Sequence, residues 1–157
     1  LSLVLHSFEM TREERLSELG LELPALPAPG GNYLSSKRVG SIVYLAGVVS
    51  IGMTGTVGKD RSVADGYAAA KACALTQLAV LKRELGSLEE IEEIVSVNGY
   101  VNCVAGFDQS PAVINGASDL LVAVLGEAGK HVRAAVGVCA LPRNAIVEVQ
   151  MMVRTKP

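Results

Sequence analysis

Arg133 and Glu148 are the residues whose type and setting point most directly to chemistry. Arg133 opens a segment, Arg133–Ala140, that reads as a strand. Ala135 and Gly137 follow it on the same strand face. Small neighbours would leave space beside a guanidinium, which can hold a carboxylate in a bidentate fork. The plainer reading of the same residue is a surface or interface salt bridge. Glu148 lies mid-strand between Val147 and Val149. A carboxylate there is partly buried, so it must be paired or carry a shifted pKa. It could position a water or pass a proton, or simply pair with Arg133 or another base. Tyr33, Tyr100 and Asn102 are further groups of the kind that face ligands, each equally suited to a structural role.

Other chemistries find little footing. The stretch Gly52-Met-Thr-Gly-Thr-Val-Gly-Lys-Asp suggests a phosphate-binding loop. It has the wrong spacing, and Asp60 stands where Ser or Thr is required. His6 and His131 are the only histidines, and no cluster has metal-ligand spacing. Cys73, Cys103 and Cys139 are odd in number and read as reduced, buried, unreactive thiols. The run Glu89, Glu90, Glu92, Glu93 reads as a solvated face.

The elements that must position Arg133 and Glu148 come from 157 residues, half of them hydrophobic and 19% charged, with a net charge of −2. That is enough chain for one domain over 1–157 without disulfide or metal support. The acidic balance, with no Trp and few other aromatics, gives no platform for nucleic acid. No apolar run approaches the roughly 18 residues of a membrane span. Leu3-Val4-Leu5 lacks the basic flank of a signal peptide. The expectation is a cytoplasmic protein with no membrane partner.

Residues 1–20 are expected to hold a helix, with a Thr11/Glu14 capping box and Gly20 as its stop. An irregular Pro/Gly-rich arm follows over 21–32. Ile42–Ser50 reads as one strand buried on both faces. A strand near Tyr33–Lys37 could form a hairpin with it. Ser62 caps a long helix ending before Gly86, with the stripe Tyr67, Ala70, Ala74, Leu78, Leu81, Leu85. Ile94–Val104 reads as the next strand. Ser110 as N-cap and Pro111 as N1 open a second long helix, closed by Gly129. Two strands, Arg133–Ala140 and Ala145–Arg154, finish the chain.

Alternation assigns Val95, Val97, Val101, Val136, Val138, Val147, Val149, Met151 and Val153 to the face under the two helices. Arg133, Ala135, Gly137 and Cys139 then join Ser96, Asn98, Tyr100, Glu148 and Gln150 on the other face. That face is too apolar for water and too polar for a dry core. A second copy of the chain is its simplest cover, with room for a ligand at the interface.

The ending Arg133-Ala-Ala-Val136-Gly-Val138-Cys-Ala-Leu141-Pro142-Arg-Asn-Ala-Ile-Val147-Glu148-Val149 resembles the C-terminal signature of the RidA/YjgF family. That signature is an Arg, a V-x-V strand, Leu-Pro, then V-E-I or V-E-V. Asn115 resembles the Asn of the family's V-N motif, and Gly31-Asn32-Tyr33 its G-P-Y. The likeness covers residues 30–154, with 1–29 as a preceding helix and arm. The longer N-terminus and Asn115-Gly-Ala-Ser-Asp-Leu-Leu are more similar to a side branch described as YjgF/chorismate-mutase-like "putative endoribonucleases".

The resemblance implies an α+β, chorismate-mutase-like fold: a mixed β-sheet with two long helices on one face. It also implies a homotrimer with sites in the clefts between subunits. Relatives hydrolyse reactive enamines and imines to 2-oxo acids and ammonia. By resemblance Arg133 clamps the substrate carboxylate, with Ala135, Asn115 and Tyr100 beside it. Glu148 orients water or transfers a proton, and Tyr33 forms a pocket wall with a part in catalysis. No cofactor or metal is implied, because an imine carbon is already electrophilic. The sequence departs from the family at Asn32, Ala46, Val48, Ala135 and Gln150. Those changes keep a second reading open, a trimer that binds small carboxylates without turning them over. A ribonuclease fits less well with this charge and composition.

Overall fold

A computed structural model describes residues 9–26 and 28–157. Leu3-Val4-Leu5, His6 and the first part of the expected 1–20 helix lie outside the described residues. The helix itself is α1 (Arg12–Glu18), with the Thr11/Glu14 capping box in place. Then come β1 (Ser36–Val39), β2 (Ile42–Leu45), β3 (Val48–Val49), α2 (Val63–Leu85) and β4 (Ile91–Asn102). The chain ends with α3 (Ser110–Leu125), β5 (Val132–Val138) and β6 (Val147–Thr155).

The strands form one mixed sheet in the order β1-β2-β6-β4-β5, with β3 also paired to β6. All pairs are antiparallel except β4–β5. A parallel pair needs a long crossover, and α3 supplies it. α2 packs over β6 and β3, and α3 over β4 and β5. The core lies between these layers. Ala70, Ala74, Leu78 and Leu81 of α2 and Val113, Ile114, Ala117 and Leu121 of α3 meet Val97, Val101, Val147, Val149 and Met151, all fully buried.

Each long helix has identifiable ends. Ser62 accepts from the Asp65 amide and Asp65 returns a bond to the Ser62 amide, which satisfies two otherwise unpaired donors. Gly86 closes α2 in the left-handed conformation at φ 83°, its amide donating to Lys82 O. The N-cap of α3 is Gln109, not the expected Ser110, and no side chain caps it. Ser110 is instead the first helical residue. The stretch Ser110–Gly129 is long and apolar enough by composition to cross a bilayer, which the run-length reading missed, and half of it is buried inside the protein.

Three expectations about the strands need correction. Ile42–Ser50 is not one strand buried on both faces. It breaks at Ala46-Gly47 into β2 and β3, and Tyr44 is exposed. Val95 does not share a face with Val97, because register shifts flank Ile94 in β4. A bulge changes the phase of alternation, so Ile94 takes the buried position. The faces of β5 are the reverse of those expected. Arg133, Ala135 and Gly137 partner Val97, Gly99 and Val101 on the helix-covered side. Val132 and Val136 are exposed on the open face, 71% and 46% accessible.

Smaller corrections follow. Tyr67 leaves the buried stripe of α2, its hydroxyl donating to Asp119 Oδ2 at 2.6 Å. The acidic run is not simply solvated: Glu89 accepts from the Arg12 amide at 2.7 Å and Glu93 pairs with Arg154 at 3.1 Å. Only Cys73 of the three thiols is buried, and Cys139 is exposed.

α2 and α3 approach closely at Gly116, where an added Cβ would collide with the Tyr67 carbonyl oxygen. Overpacking at such a contact costs about 1–3 kcal/mol. Gly116→Ala is therefore expected to lower unfolding stability by about that amount, read as a reduced midpoint in urea with an unchanged slope.

Candidate functional site

Glu148 stands on the open face of the sheet, partnered with Val49 of β3 and Tyr100 of β4. The break in the first long strand makes room for it. Gly47 lies against its carboxyl, and a Cβ there would collide with Glu148 Oε1. Its φ is ordinary, so what glycine provides at 47 is room for the Glu148 carboxyl where it stands.

Gln77 holds the break in place. It is fully buried in α2, and its Nε2 donates to Ala46 O and Val149 O, each at 2.9 Å. Its Oε1 is buried without a protein partner among the described residues. On the far side, the Ala46 amide donates to Ser35 O at 2.8 Å. These bonds fix both ends of the gap.

The result is a cleft of about 340 Å³ lined by Tyr33, Gly47, Arg83, Arg143 and Glu148, with apolar walls that include Ile51 and Val80. Tyr33 is half exposed and its hydroxyl accepts from the Gly30 amide at 3.3 Å. Among the described residues, Glu148 has neither an ion pair nor a hydrogen bond, so the pairing with Arg133 considered from sequence is not made within the protomer. Burial alone pushes its carboxyl above the usual carboxylate range.

Arg133 belongs to a second group, on the helix side of the edge strand β5. Its Nη1 donates to Asn115 Oδ1 at 2.8 Å and to Ser118 Oγ at 3.1 Å, both on α3. Ser118 Oγ lies 2.9 Å from His131 Nε2, and His131 Nδ1 lies 2.6 Å from Gly129 O. A carbonyl can only accept, so Nδ1 carries the proton, and in the neutral ring Nε2 accepts from the Ser118 hydroxyl. Every partner of the guanidinium is neutral, so its charge is not cancelled by a carboxylate among the described residues.

Small residues do stand beside Arg133, but they do not make a cavity. Ala135 is half buried and packs on the core. Its β4 partner Gly99 lies against Ile114, and Gly137 against Cys103 Sγ. Gly99 is small because α3 comes close, and Gly137 because the Cys103 thiol does.

The structure therefore brings Tyr33 to Glu148, with Tyr100 next to Glu148 on the sheet. It brings Asn115 to Arg133. It does not bring the two groups together, since the sheet separates them. Sequence reading missed Gln77, Arg83, Ser118, His131 and Arg143 as members of these groups. A polar residue beside Leu78 in an apolar stripe was the available signal for Gln77. For Arg143 there was none, because its left-handed backbone is visible only in the structure. Among the described residues, no three His, Cys, Asp or Glu side chains gather to hold a metal.

This fold has counterparts elsewhere. The pattern of the YjgF/chorismate mutase-like, "putative endoribonuclease" family matches residues 13–154, reaching back into α1. The chain belongs to that family. Protein TCP17 of Trypanosoma cruzi is 41% identical over 144 residues, covering 88% of this chain and 90% of its own. The crystal structure of a "putative endoribonuclease" from Shewanella oneidensis superposes with a TM-score of 0.89 at 34% identity, covering 92% of this chain and 99% of the other. RidA from an Antarctic Psychrobacter superposes with a TM-score of 0.56 at 25% identity, over 82% of this chain and 93% of its own. The gap between those two scores agrees with the side-branch likeness.

The environment of Glu148 has a thermodynamic consequence. A carboxyl raised by burial stabilises the fold fully only below its unfolded pKa, and that contribution is lost as pH rises through the folded value. Glu148→Gln removes the charge and is expected to raise the melting temperature relative to wild type at pH 7. The difference should vanish near pH 4, when melting is compared across that range.

Proposed function

We propose that this protein binds small carboxylate-bearing metabolites in clefts completed by a neighbouring copy, and that it hydrolyses reactive imines and enamines there to 2-oxo acids and ammonia. The observation that carries the reading is Glu148: a half-buried, unpaired carboxyl at the wall of a preformed cleft. Such a group is suited to hold a water and to move its proton. Water adds to the imine carbon, the proton passes to nitrogen, and ammonia leaves as the carbonyl forms. Arg133 supplies the carboxylate clamp, its fork steadied by Asn115 and Ser118. Because the sheet separates Arg133 from Glu148 within a protomer, the complete site takes Arg133 from one copy and Glu148 from the next. A homotrimer is the assembly that the resemblance implies, and the exposed Val132 and Val136 suit it. Tyr33 closes one wall.

One observation favours the non-catalytic alternative. Gln150, which replaces the second acid of the family motif, is tied into the sheet. Its Nε2 donates to Leu45 O at 3.1 Å and its Oε1 accepts from Asn98 at 3.0 Å. It offers no proton to a reaction.

The deciding measurement generates imino acids with an amino-acid oxidase and traps them with semicarbazide. Wild type is expected to suppress trapping, and Arg133→Ala to need about tenfold or more protein for the same effect, as loss of a charge-assisted clamp implies. If wild type leaves trapping unchanged, hydrolysis is not its activity, and carboxylate binding alone remains.

A further inference from the structure

We propose that the cleft beside Glu148 holds a second anion subsite, formed by Arg143 on one wall and Arg83 on the other, and that the protein's ligands are dicarboxylic 2-oxo or imino acids. This deepens the reading above: Arg133 of a neighbouring copy takes the carboxylate next to the reacting carbon, and the arginine pair takes the distal one.

Arg143 carries most of the argument. It sits at φ 57° and ψ 23°, and Asn144 follows at φ 54°. Asn tolerates the left-handed region, but Arg143 carries a strain there that glycine would not. Such backbone persists only where its surroundings impose it, and it gathers at ligand clamps. Here the surroundings are explicit. Asn102 is 3% exposed, and its Nδ2 donates to Gly55 O at 3.1 Å and Ala145 O at 3.2 Å. The Gly55 amide donates to Asn144 O at 2.9 Å, and the Ala145 amide to Pro142 O at 3.1 Å. The turn is thus bolted to the end of β4 and to the loop before α2. What this placement gains is a guanidinium at the cleft, since Arg143 has no ion pair or hydrogen bond among the described residues.

Arg83 faces it from α2. Its Nη2 is fixed by Ser35 Oγ and Glu84 Oε1, each at 3.0 Å, leaving Nη1 unengaged among the described residues. The charged groups lining the cleft are these two arginines and Glu148; Glu84 already pairs with Arg83, so Arg143 is the cation left to take an anion. Between them run apolar side chains, Val48, Ile51 and Val80, which suit the methylenes joining two acid groups.

The test compares two acids of equal chain length that differ only in the distal carboxylate, 2-oxoglutarate and 2-oxopentanoate, titrated calorimetrically into the full-length protein. Wild type is expected to bind 2-oxoglutarate about tenfold or more tightly than 2-oxopentanoate, the scale of one charge-assisted contact. Arg143→Gly suits the left-handed turn, so it should fold with an unchanged or higher melting temperature. It should bring the two affinities within about twofold of each other, a residual difference no larger than a screened surface charge gives. Arg83→Gln should narrow the ratio as well. Arg133→Ala should weaken both acids together and leave their ratio intact. A wild-type ratio near one, a ratio that survives Arg143→Gly, or no binding of either acid overturns the subsite. If Arg133→Ala changes neither affinity while Arg143→Gly abolishes the ratio, the role given to Arg133 falls and the subsite stands.

Discussion

One amide holds open the gap on which the candidate site depends. Gln77 reaches from the buried stripe of α2 to two strand carbonyls, Ala46 O and Val149 O, at the point where the first long strand parts. Without that bridge, two buried carbonyls would lack these partners, at about 1–3 kcal/mol for each group left unsatisfied. With it, β2 and β3 both stay on β6, Gly47 lies against Glu148, and the arm around Tyr33 closes a cleft over them. The capping box at Ser62 and the left-handed Gly86 fix where α2 begins and ends, and so which of its residues faces the gap.

Much of this was legible in the sequence, for physical reasons that differ from element to element. Helix ends were readable because capping is local: Thr11/Glu14, Ser62 and Gly86 act on backbone groups within a turn of themselves. The buried face of β6 was readable because strict alternation in Val147, Val149, Met151 and Val153 has one solution. The face of β5 was misread because both of its faces carry small or branched apolar residues. Val136 and Val138 look like core, yet Ala135 faces the core on the helix side and Gly137 makes room there for the Cys103 thiol. The bulge in β4 was invisible for a related reason, since Val95 is about as apolar as Ile94, which takes the buried position. The family signature located Arg133 and Glu148, but one chain's sequence cannot say that a sheet stands between them.

That separation shapes the electrostatics. Among the described residues, Glu148 is partly desolvated and makes no ion pair, while Arg133 is held by neutral oxygens. Each would be eased by the other, and the fold keeps them apart in a protomer. The Arg133–Ser118–His131–Gly129 chain orients the guanidinium without neutralising it, which leaves its field available to a ligand.

The inverted faces of β5 also bear on how the chain reaches this fold. β5 pairs with a single neighbour, so one ladder alone sets its register. A slip of one residue would reverse its faces, driving Val132 and Val136 into the space under α3 and expelling Arg133. Gly99 beneath Ile114 leaves no volume for a valine there. The small residues that seemed to hollow out a pocket instead act as a proofreading gauge, admitting the strand in one register and rejecting the next.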